Sequence, residues 1–198
     1  MRGIISLQGS MASGKTTLAK KLEQKGIRIV YENPYSIVQK RKEMQLDIGT
    51  KEGFIANQKL FIEAKIEEFQ QLPNGITIFD RGPEDIEFYT LYYPKLIGKD
   101  WDIEKEMSDE LRELRKCRSQ AIFYLIASKE VLQKRKELDV RQRSTFEEQI
   151  KLIEIEKRWY EQFPVTYLNV DAKSVEEVEY CFTKWLEETG KWGIDLTL

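Results

Sequence analysis

Histidine is absent from this sequence of 198 residues. Its absence excludes imidazole as a general acid or base, as the group that activates a serine or cysteine nucleophile, and as a metal ligand. Any proton transfer that the chemistry requires must use another group, and a carboxylate is the natural candidate. Cysteine is scarce too, since only Cys117 and Cys181 occur and they form no C-x-x-C motif. Isolated cysteines on helical stretches are typical of reduced, unreactive thiols in a cytoplasmic protein.

Long apolar runs and an excess of one charge are also missing. No stretch reaches the length of a membrane-spanning helix, and the apolar residues before Gly9 are too few for a signal peptide. The chain has 32 Lys and Arg against 34 Asp and Glu, which gives no general attraction to nucleic acid polymers or anionic membranes. We therefore expect a cytoplasmic protein that binds a small molecule. With no linker or repeat, residues 1–198 are expected to form a single domain.

A glycine-rich motif lies close to the N-terminus. Residues 9–16 read GSMASGKT and match G-x-x-x-x-G-K-[ST] at every position. The apolar run Ile4–Leu7 before the motif indicates a buried strand, and the residues after it continue as a helix that Gly26 ends. Strand, glycine-rich loop and helix together form the context in which this motif binds the phosphates of a nucleotide.

Each residue type in the motif has a chemical reason. Gly9 and Gly14 allow a tight turn whose backbone N–H groups point inward at an anion, next to the positive end of the helix dipole. Lys15 can reach the β- and γ-phosphates, and the Thr16 hydroxyl can hold Mg²⁺. We therefore predict ATP and Mg²⁺ as cofactors. The predicted nucleotide contacts are Gly9, Ser10, Met11, Ala12, Ser13, Gly14, Lys15, Thr16 and Thr17.

Short apolar strands alternate with helices along the rest of the chain. Strands are expected at 4–7, 27–31, 76–79, 121–126 and 165–170, and helices at 51–72, 84–93 and 101–118, whereas 36–50 carries no clear pattern. This alternation predicts an α/β fold of the P-loop NTPase type, with a five-stranded parallel sheet and helices on both faces. Residues directly after the strands should then share one site at the carboxyl edge of the sheet.

Charged residues follow the second and third strands. Asp80 comes directly after an apolar strand, where a second Mg²⁺ ligand is expected, although an acidic turn residue or helix cap has the same pattern. Arg81 beside it would clamp a phosphate or hold the second substrate, or else pair with a nearby carboxylate. Glu32 stands where a general base for an acceptor hydroxyl is needed, with a plain polar strand end as the alternative.

A basic segment follows the fourth strand. Arg135, Arg141 and Arg143 lie between a strand–helix unit and a helix that begins with a capping box at Ser144. Arginines on a loop that closes over a transferring phosphoryl group stabilise its charge and exclude water. We therefore predict a lid at about 134–145, with a solvated charged surface as the alternative.

These residues together resemble the deoxynucleoside kinases and, more broadly, the thymidylate kinase-like P-loop kinases. The resemblance extends from Ile4 to about Tyr167 and begins with the phosphate loop. It continues with Glu32 before an Asn-Pro-Tyr segment, and with a helix that has Gln58 between two phenylalanines. The acid–arginine pair at 80–81 and the R-x-R of the lid before acidic residues complete it.

The resemblance implies a role for each of these residues. Glu32 would be the base for the sugar 5′-hydroxyl, and Gln58 would pair with the edge of the nucleobase. Tyr35 would contact the acceptor, Asp80 would serve the metal, and Arg81 would bind the 5′-end of the acceptor. The lid arginines would bind the donor phosphates. Since related kinases are often dimers, a homodimer is also expected.

The predicted function is transfer of the γ-phosphoryl group of ATP·Mg²⁺ to a hydroxyl of a small acceptor, with a (deoxy)nucleoside favoured. A nucleoside monophosphate is the near alternative, because Arg81 and the basic residues around 39–42 offer positive charge to an acceptor phosphate. An antibiotic hydroxyl or nicotinamide riboside is a more distant alternative. A regulatory P-loop switch is the alternative from a different class, although the guanine-reading motif N-K-x-D is absent.

Overall fold

The computed structural model describes residues 2–138 and 146–189. Within them, the strands are β1 (Arg2–Gln8), β2 (Arg28–Val30), β3 (Gly75–Asp80), β4 (Ala121–Ile126) and β5 (Val165–Asn169). The helices are α1 (Lys15–Gln24), α2 (Tyr35–Glu43), α3 (Lys51–Gln70), α4 (Pro83–Leu96), α5 (Ile103–Glu106), α6 (Ser108–Arg115), α7 (Lys129–Leu138), α8 (Phe146–Tyr160) and α9 (Val175–Glu188).

The strands form one sheet in the order β2-β3-β1-β4-β5, and every neighbouring pair is parallel. Successive residues of a strand point to opposite faces of a sheet. In β4, Phe123 packs against Phe182 of α9, whereas Tyr124 packs against Tyr160 of α8. Helices therefore cover both faces, and the predicted five-stranded parallel sheet is confirmed.

The contacts within the chain define two compact units. The first, which we call the sheet unit, comprises Met1–Val30, Asn74–Asp80 and Gln120–Leu198. The second, the helical unit, comprises Tyr31–Pro73 and Arg81–Ser119. All five strands with α1, α7, α8 and α9 belong to the sheet unit, and α2 to α6 belong to the helical unit. The single domain over residues 1–198 stays a prediction.

The helical unit has its own apolar core. Its buried members are Phe54, Ile62, Ile103, Met107, Leu111 and Leu114. The sequence pattern predicts one helix over 101–118, but α5 and α6 are separate, and the break falls at the fully buried Met107. The break has neither proline nor glycine at its position, so the local sequence gives no sign of it. Tertiary packing overrides helix propensity here.

Two other elements differ from the pattern-based expectation. Helix α2 lies in the segment without a clear pattern, and none of its residues is buried, so it has no apolar stripe to reveal it. Helix α4 continues past Tyr93 to Leu96 and includes Pro94 in its last turn. Near a helix end, proline removes one backbone hydrogen bond without breaking a long helix. None of the described helices has the length and apolar character of a membrane span.

Candidate active site

The phosphate loop of the sheet unit follows β1 and has the backbone that its glycines predict. Gly9 and Gly14 have φ angles of 129° and 105°, which favour glycine. A Cβ atom on Gly9 would lie 2.3 Å from the carbonyl oxygen of Leu125 in β4, so this position has no room for a side chain. Ser10, Met11 and Ser13 are buried along the loop, whereas Thr17 is exposed.

Lys15 holds the loop from inside. Its side chain is buried, and Nζ donates hydrogen bonds to the carbonyl oxygens of Gly9 at 2.6 Å and Ser10 at 2.9 Å. Helix α1 begins at Lys15, and no side chain caps its N-terminus. Its first backbone N–H groups are therefore available to an anion, and the helix dipole favours negative charge at this end.

Thr16 and Asp80 meet at the carboxyl ends of β1 and β3. The Thr16 hydroxyl donates to Asp80 Oδ2 at 2.6 Å, and Asp80 is buried. A hydroxyl and a carboxylate are oxygen donors of the kind that Mg²⁺ prefers. Among the described residues, no cluster of three or more acidic, cysteine or histidine side chains forms a metal site on its own. A cation at Thr16 and Asp80 would therefore need further oxygen ligands from a nucleotide or from water.

Arg135 of α7 contacts the same loop. Its guanidinium donates to the carbonyl oxygens of Ser13 at 3.2 Å and of Val170 at 2.9 Å. The structure thus places Arg135, one of the predicted donor-binding residues, at the phosphate loop. Arg141 and Arg143 lie outside the described residues, so of the predicted lid at about 134–145 only residues 134–138 are described, at the end of α7.

The helical unit contains a cavity that is open to solvent. One wall is apolar and is formed by Pro34, Ile37, Phe61, Ala64 and Ile86. The charged residues at the cavity are Glu32, Lys65, Glu68, Arg81 and Asp85. Two of the predicted acceptor-binding residues, Glu32 and Arg81, therefore line one cavity. We call it the acceptor pocket.

Arg81 is rigidly held at this pocket. It has a φ angle of 69°, an uncommon backbone conformation for a non-glycine residue, and its side chain is buried. Nε lies 3.2 Å from Glu32 Oε2, and Nη1 donates to Asp85 Oδ1 at 2.7 Å. Strained backbone conformations concentrate at functional sites. The sequence analysis did not predict Asp85 as a site residue. Its position four residues after Arg81, in the first turn of α4, is a signal that could have identified it.

The second cation of the pocket is paired as well. Lys65 Nζ lies 2.5 Å from Glu68 Oε2, three residues later on α3. Neither residue was among the predicted site residues. Both cations of the pocket, Arg81 and Lys65, therefore already have carboxylate partners.

Gln58 and Tyr35 lie close in sequence to the pocket residues but do not line the pocket. Gln58 is buried on α3, one turn before Phe61, and its amide contacts the Thr90 hydroxyl at 3.3 Å. Tyr35 is the first residue of α2, and 76% of its surface is exposed.

The two cysteines are free, and burial raises the pKa of the Cys117 thiol, which keeps this group protonated and unreactive.

Comparison with known proteins gives the same fold. A family model described as AAA domain matches residues 4–177. The structure is similar to deoxyadenosine kinase from M. mycoides with the products dCMP and dCDP bound, with a TM-score of 0.71, 19% identity, and coverage of 94% of this chain and 99% of that chain. No curated protein sequence matches this chain.

Two further structures have the same fold. Thymidylate kinase from Candida albicans matches with a TM-score of 0.66 and 19% identity, over 95% of this chain and 92% of that chain. The YorR protein from Bacillus subtilis, in complex with phosphorylated GDP, matches with a TM-score of 0.54 and 15% identity, over 94% of this chain and 97% of that chain. The predicted P-loop kinase fold is therefore confirmed.

Proposed function

We propose that this chain, which belongs to the AAA domain family whose model matches residues 4–177, is a kinase. It transfers the γ-phosphoryl group of ATP to a hydroxyl of a small acceptor, and a (deoxy)nucleoside is the favoured acceptor. The observation that carries this proposal is the presence, in one chain, of a complete phosphate loop and of a pocket that holds a fixed arginine and carboxylate. The similarity to structures of nucleoside and nucleotide kinases supports it.

The donor site fits ATP with Mg²⁺. The backbone N–H groups of the loop and of the start of α1 would bind the phosphates, and Lys15 would exchange its two carbonyl partners for phosphate oxygens. Thr16 and Asp80 would hold Mg²⁺, which neutralises charge on the β- and γ-phosphates when it is bound. Arg135 and the predicted lid residues Arg141 and Arg143 would add positive charge at the transferring group.

The acceptor pocket supplies orientation and a base. The acceptor oxygen attacks the γ-phosphorus, the bond from phosphorus to the β–γ bridging oxygen breaks, and ADP leaves. The proton of the hydroxyl passes to the Glu32 carboxylate, which Arg81 orients through its ion pair. Arg81 is in turn held by Asp85, so both groups keep one geometry before the acceptor binds.

The charge of the pocket favours a nucleoside over a nucleoside monophosphate. An acceptor phosphate would have to compete with the carboxylates that already pair with Arg81 and Lys65. The basic residues Lys40, Arg41 and Lys42 of α2, which offered an alternative phosphate site, do not line the pocket. A neutral sugar hydroxyl needs no unpaired cation, so it fits this pocket better.

Cellular context and assembly complete the proposal. We propose that the enzyme works in the cytoplasm as a homodimer, that it acts on small molecules rather than nucleic acid polymers, and that residues 134–145 close over the donor as a lid. The free cysteines support a reducing compartment. The net charge of −2 argues against a polyanionic substrate. Light scattering of the purified protein measures the assembly state directly.

The function is tested by measuring ADP release with ATP·Mg²⁺ and a panel of acceptors. The panel contains the common nucleosides and deoxynucleosides, their monophosphates, and nicotinamide riboside. We expect steady ADP formation with at least one nucleoside and no more than a trace without acceptor, and Lys15→Ala should abolish it. Nucleotide binding without acceptor-dependent turnover would instead identify a regulatory switch. Turnover with monophosphates alone would identify a nucleoside monophosphate kinase.

A further inference from the structure

Arg135 of α7 bridges two loops of the sheet unit. Its Nη1 donates to the carbonyl oxygen of Ser13 in the phosphate loop at 3.2 Å, and its Nη2 donates to the carbonyl oxygen of Val170 at 2.9 Å. A guanidinium carries its N–H groups in a rigid plane, so one side chain can hold two acceptors at a fixed separation. The two contacts therefore fix the position of the Ser13 carbonyl relative to Val170.

The Val170 end of this bridge is fixed to the sheet. Val170 directly follows β5 and is buried, and its N–H donates to the carbonyl oxygen of Ile126 in β4 at 2.8 Å. Helix α7 is anchored as well, because Leu132, one turn before Arg135, is fully buried. Arg135 therefore connects the phosphate loop to a rigid part of the sheet unit.

The Ser13 carbonyl belongs to the same peptide group as the N–H of Gly14. A peptide group is planar and trans, so its carbonyl and its N–H point in opposite directions. Ala12 and Gly14, on either side of Ser13, have positive φ angles of 65° and 105°. A change in the sign of φ between neighbouring residues turns successive N–H groups into an anion-binding concavity. Arg135 thus holds one end of this peptide group, and the Gly14 N–H is the other end.

Holding the Ser13 carbonyl has two consequences for an anion in the loop. The contact fixes the direction of the Gly14 N–H next to Ala12, whose positive φ is strained for a non-glycine residue. It also polarises the peptide group, because hydrogen bonds in a chain strengthen one another and the first donor here carries a full charge. Backbone N–H groups of this motif surround the α- and β-phosphates. Both effects therefore act on a phosphate that ADP and ATP share.

We propose that Arg135 is a positioning residue that orients the phosphate loop for a nucleotide through the Ser13–Gly14 peptide group. This role is additional to the charge that Arg135 brings to the transferring group. The inference rests on the proposed function only in taking the loop as the nucleotide site, because it requires no phosphoryl transfer. A residue that acted at the transferring group alone would affect ATP and not ADP, whereas a residue that orients the loop affects both nucleotides.

The binding test measures the Kd of ADP and of ATP, each with Mg²⁺, by calorimetry. Arg135→Met removes the guanidinium and should weaken ADP binding roughly 10-fold, about the effect of losing one charge-assisted hydrogen bond, and ATP binding at least as much. Arg135→Lys keeps the charge but lacks the rigid fork that spans both carbonyls, so most of the loss should remain. Lys129→Met is the control, since it removes the same charge from the exposed first turn of α7 and should change either Kd less than about twofold.

A spectroscopic test observes the peptide group itself in the nucleotide-free protein. The amide nitrogen resonance of a residue is sensitive to hydrogen bonding at the preceding carbonyl, and glycine-selective ¹⁵N labelling makes the Gly14 signal observable. We expect this signal to move in Arg135→Met and not in Lys129→Met, whereas the signal of Gly26, beyond the end of α1, should stay in both. Thermal unfolding shows whether the variants are folded. If Arg135→Met is unfolded, Arg135→Lys provides the same comparison.

The outcomes separate this inference from the proposed function. The positioning role is overturned by unchanged ADP affinity in folded Arg135→Met, by full recovery in Arg135→Lys, by an equal loss in Lys129→Met, or by an unmoved Gly14 resonance. Each of these results leaves the kinase assignment standing. The expected pattern in a protein that shows no acceptor-dependent ADP release supports the positioning role and refutes the kinase assignment. A parent protein that binds neither ADP nor ATP refutes both.

Discussion

Replacing Gly9 with alanine tests whether the phosphate loop packs against β4 as the structure describes. The φ angle of 129° at Gly9 strains any residue with a side chain, at a cost of about 1–3 kcal/mol. The new Cβ would also lie 2.3 Å from the Leu125 carbonyl oxygen, so one of the two backbones must move by about 1 Å to reach ordinary contact distance. Overpacking of this kind costs a further 1–3 kcal/mol, roughly. Gly9→Ala should therefore lower the free energy of unfolding by about 2–6 kcal/mol.

Gly14→Ala is the matched control. Gly14 also has a positive φ angle, 105°, but a Cβ atom there would meet nothing within 4 Å. This variant should lose only the strain, about 1–3 kcal/mol. Urea unfolding followed by circular dichroism gives the free energy of unfolding of both variants and of the parent. Equal losses in the two variants, or a greater loss for Gly14→Ala, would refute the close approach of the loop to β4.

The other predictions concern catalysis. Lys15→Ala should abolish turnover while the protein still folds, because Lys15 serves the β/γ-phosphates. Lys20→Ala on the exposed side of α1 is the control. Activity of Lys15→Ala within a few-fold of the parent contradicts the phosphate-loop assignment. Glu32→Gln should slow phosphoryl transfer strongly with little change in acceptor affinity, since the amide keeps the shape of the side chain but takes no proton. A variant as fast as the parent would show that Glu32 is not the general base. Arg141→Ala and Arg143→Ala should lower kcat more than they weaken ATP binding, and a rise in KM for ATP alone would count against a lid.

Local sequence patterns were sufficient to predict the sheet and the phosphate loop. The three central strands β1, β3 and β4 are largely apolar because a parallel sheet covered on both faces buries most of their side chains, and such runs can be read without knowing what packs on them. The backbone of the loop follows from glycine spacing, since Gly9 and Gly14 stand where φ is positive. The capping box at the start of α9 is equally local, because its partners Ser174 and Glu177 lie three residues apart.

Packing between distant segments determined the features that local sequence patterns did not predict. The break between α5 and α6 occurs at a buried methionine in the core of the helical unit, and α2 has no buried face that a pattern could reveal. The ion pair of Arg81 with Glu32 joins residues far apart in sequence, and no periodicity encodes it.

The sequence by itself determined that this protein has a nucleotide-binding P-loop fold, because strand burial, helix periodicity and glycine conformation are local properties of the chain. Only the tertiary structure decided the character of the acceptor pocket. It pairs both cations of the pocket with carboxylates, and it places Glu32 beside Arg81. Such contacts depend on how distant segments pack together. The free energy of that packing comes from many side chains rather than from one segment.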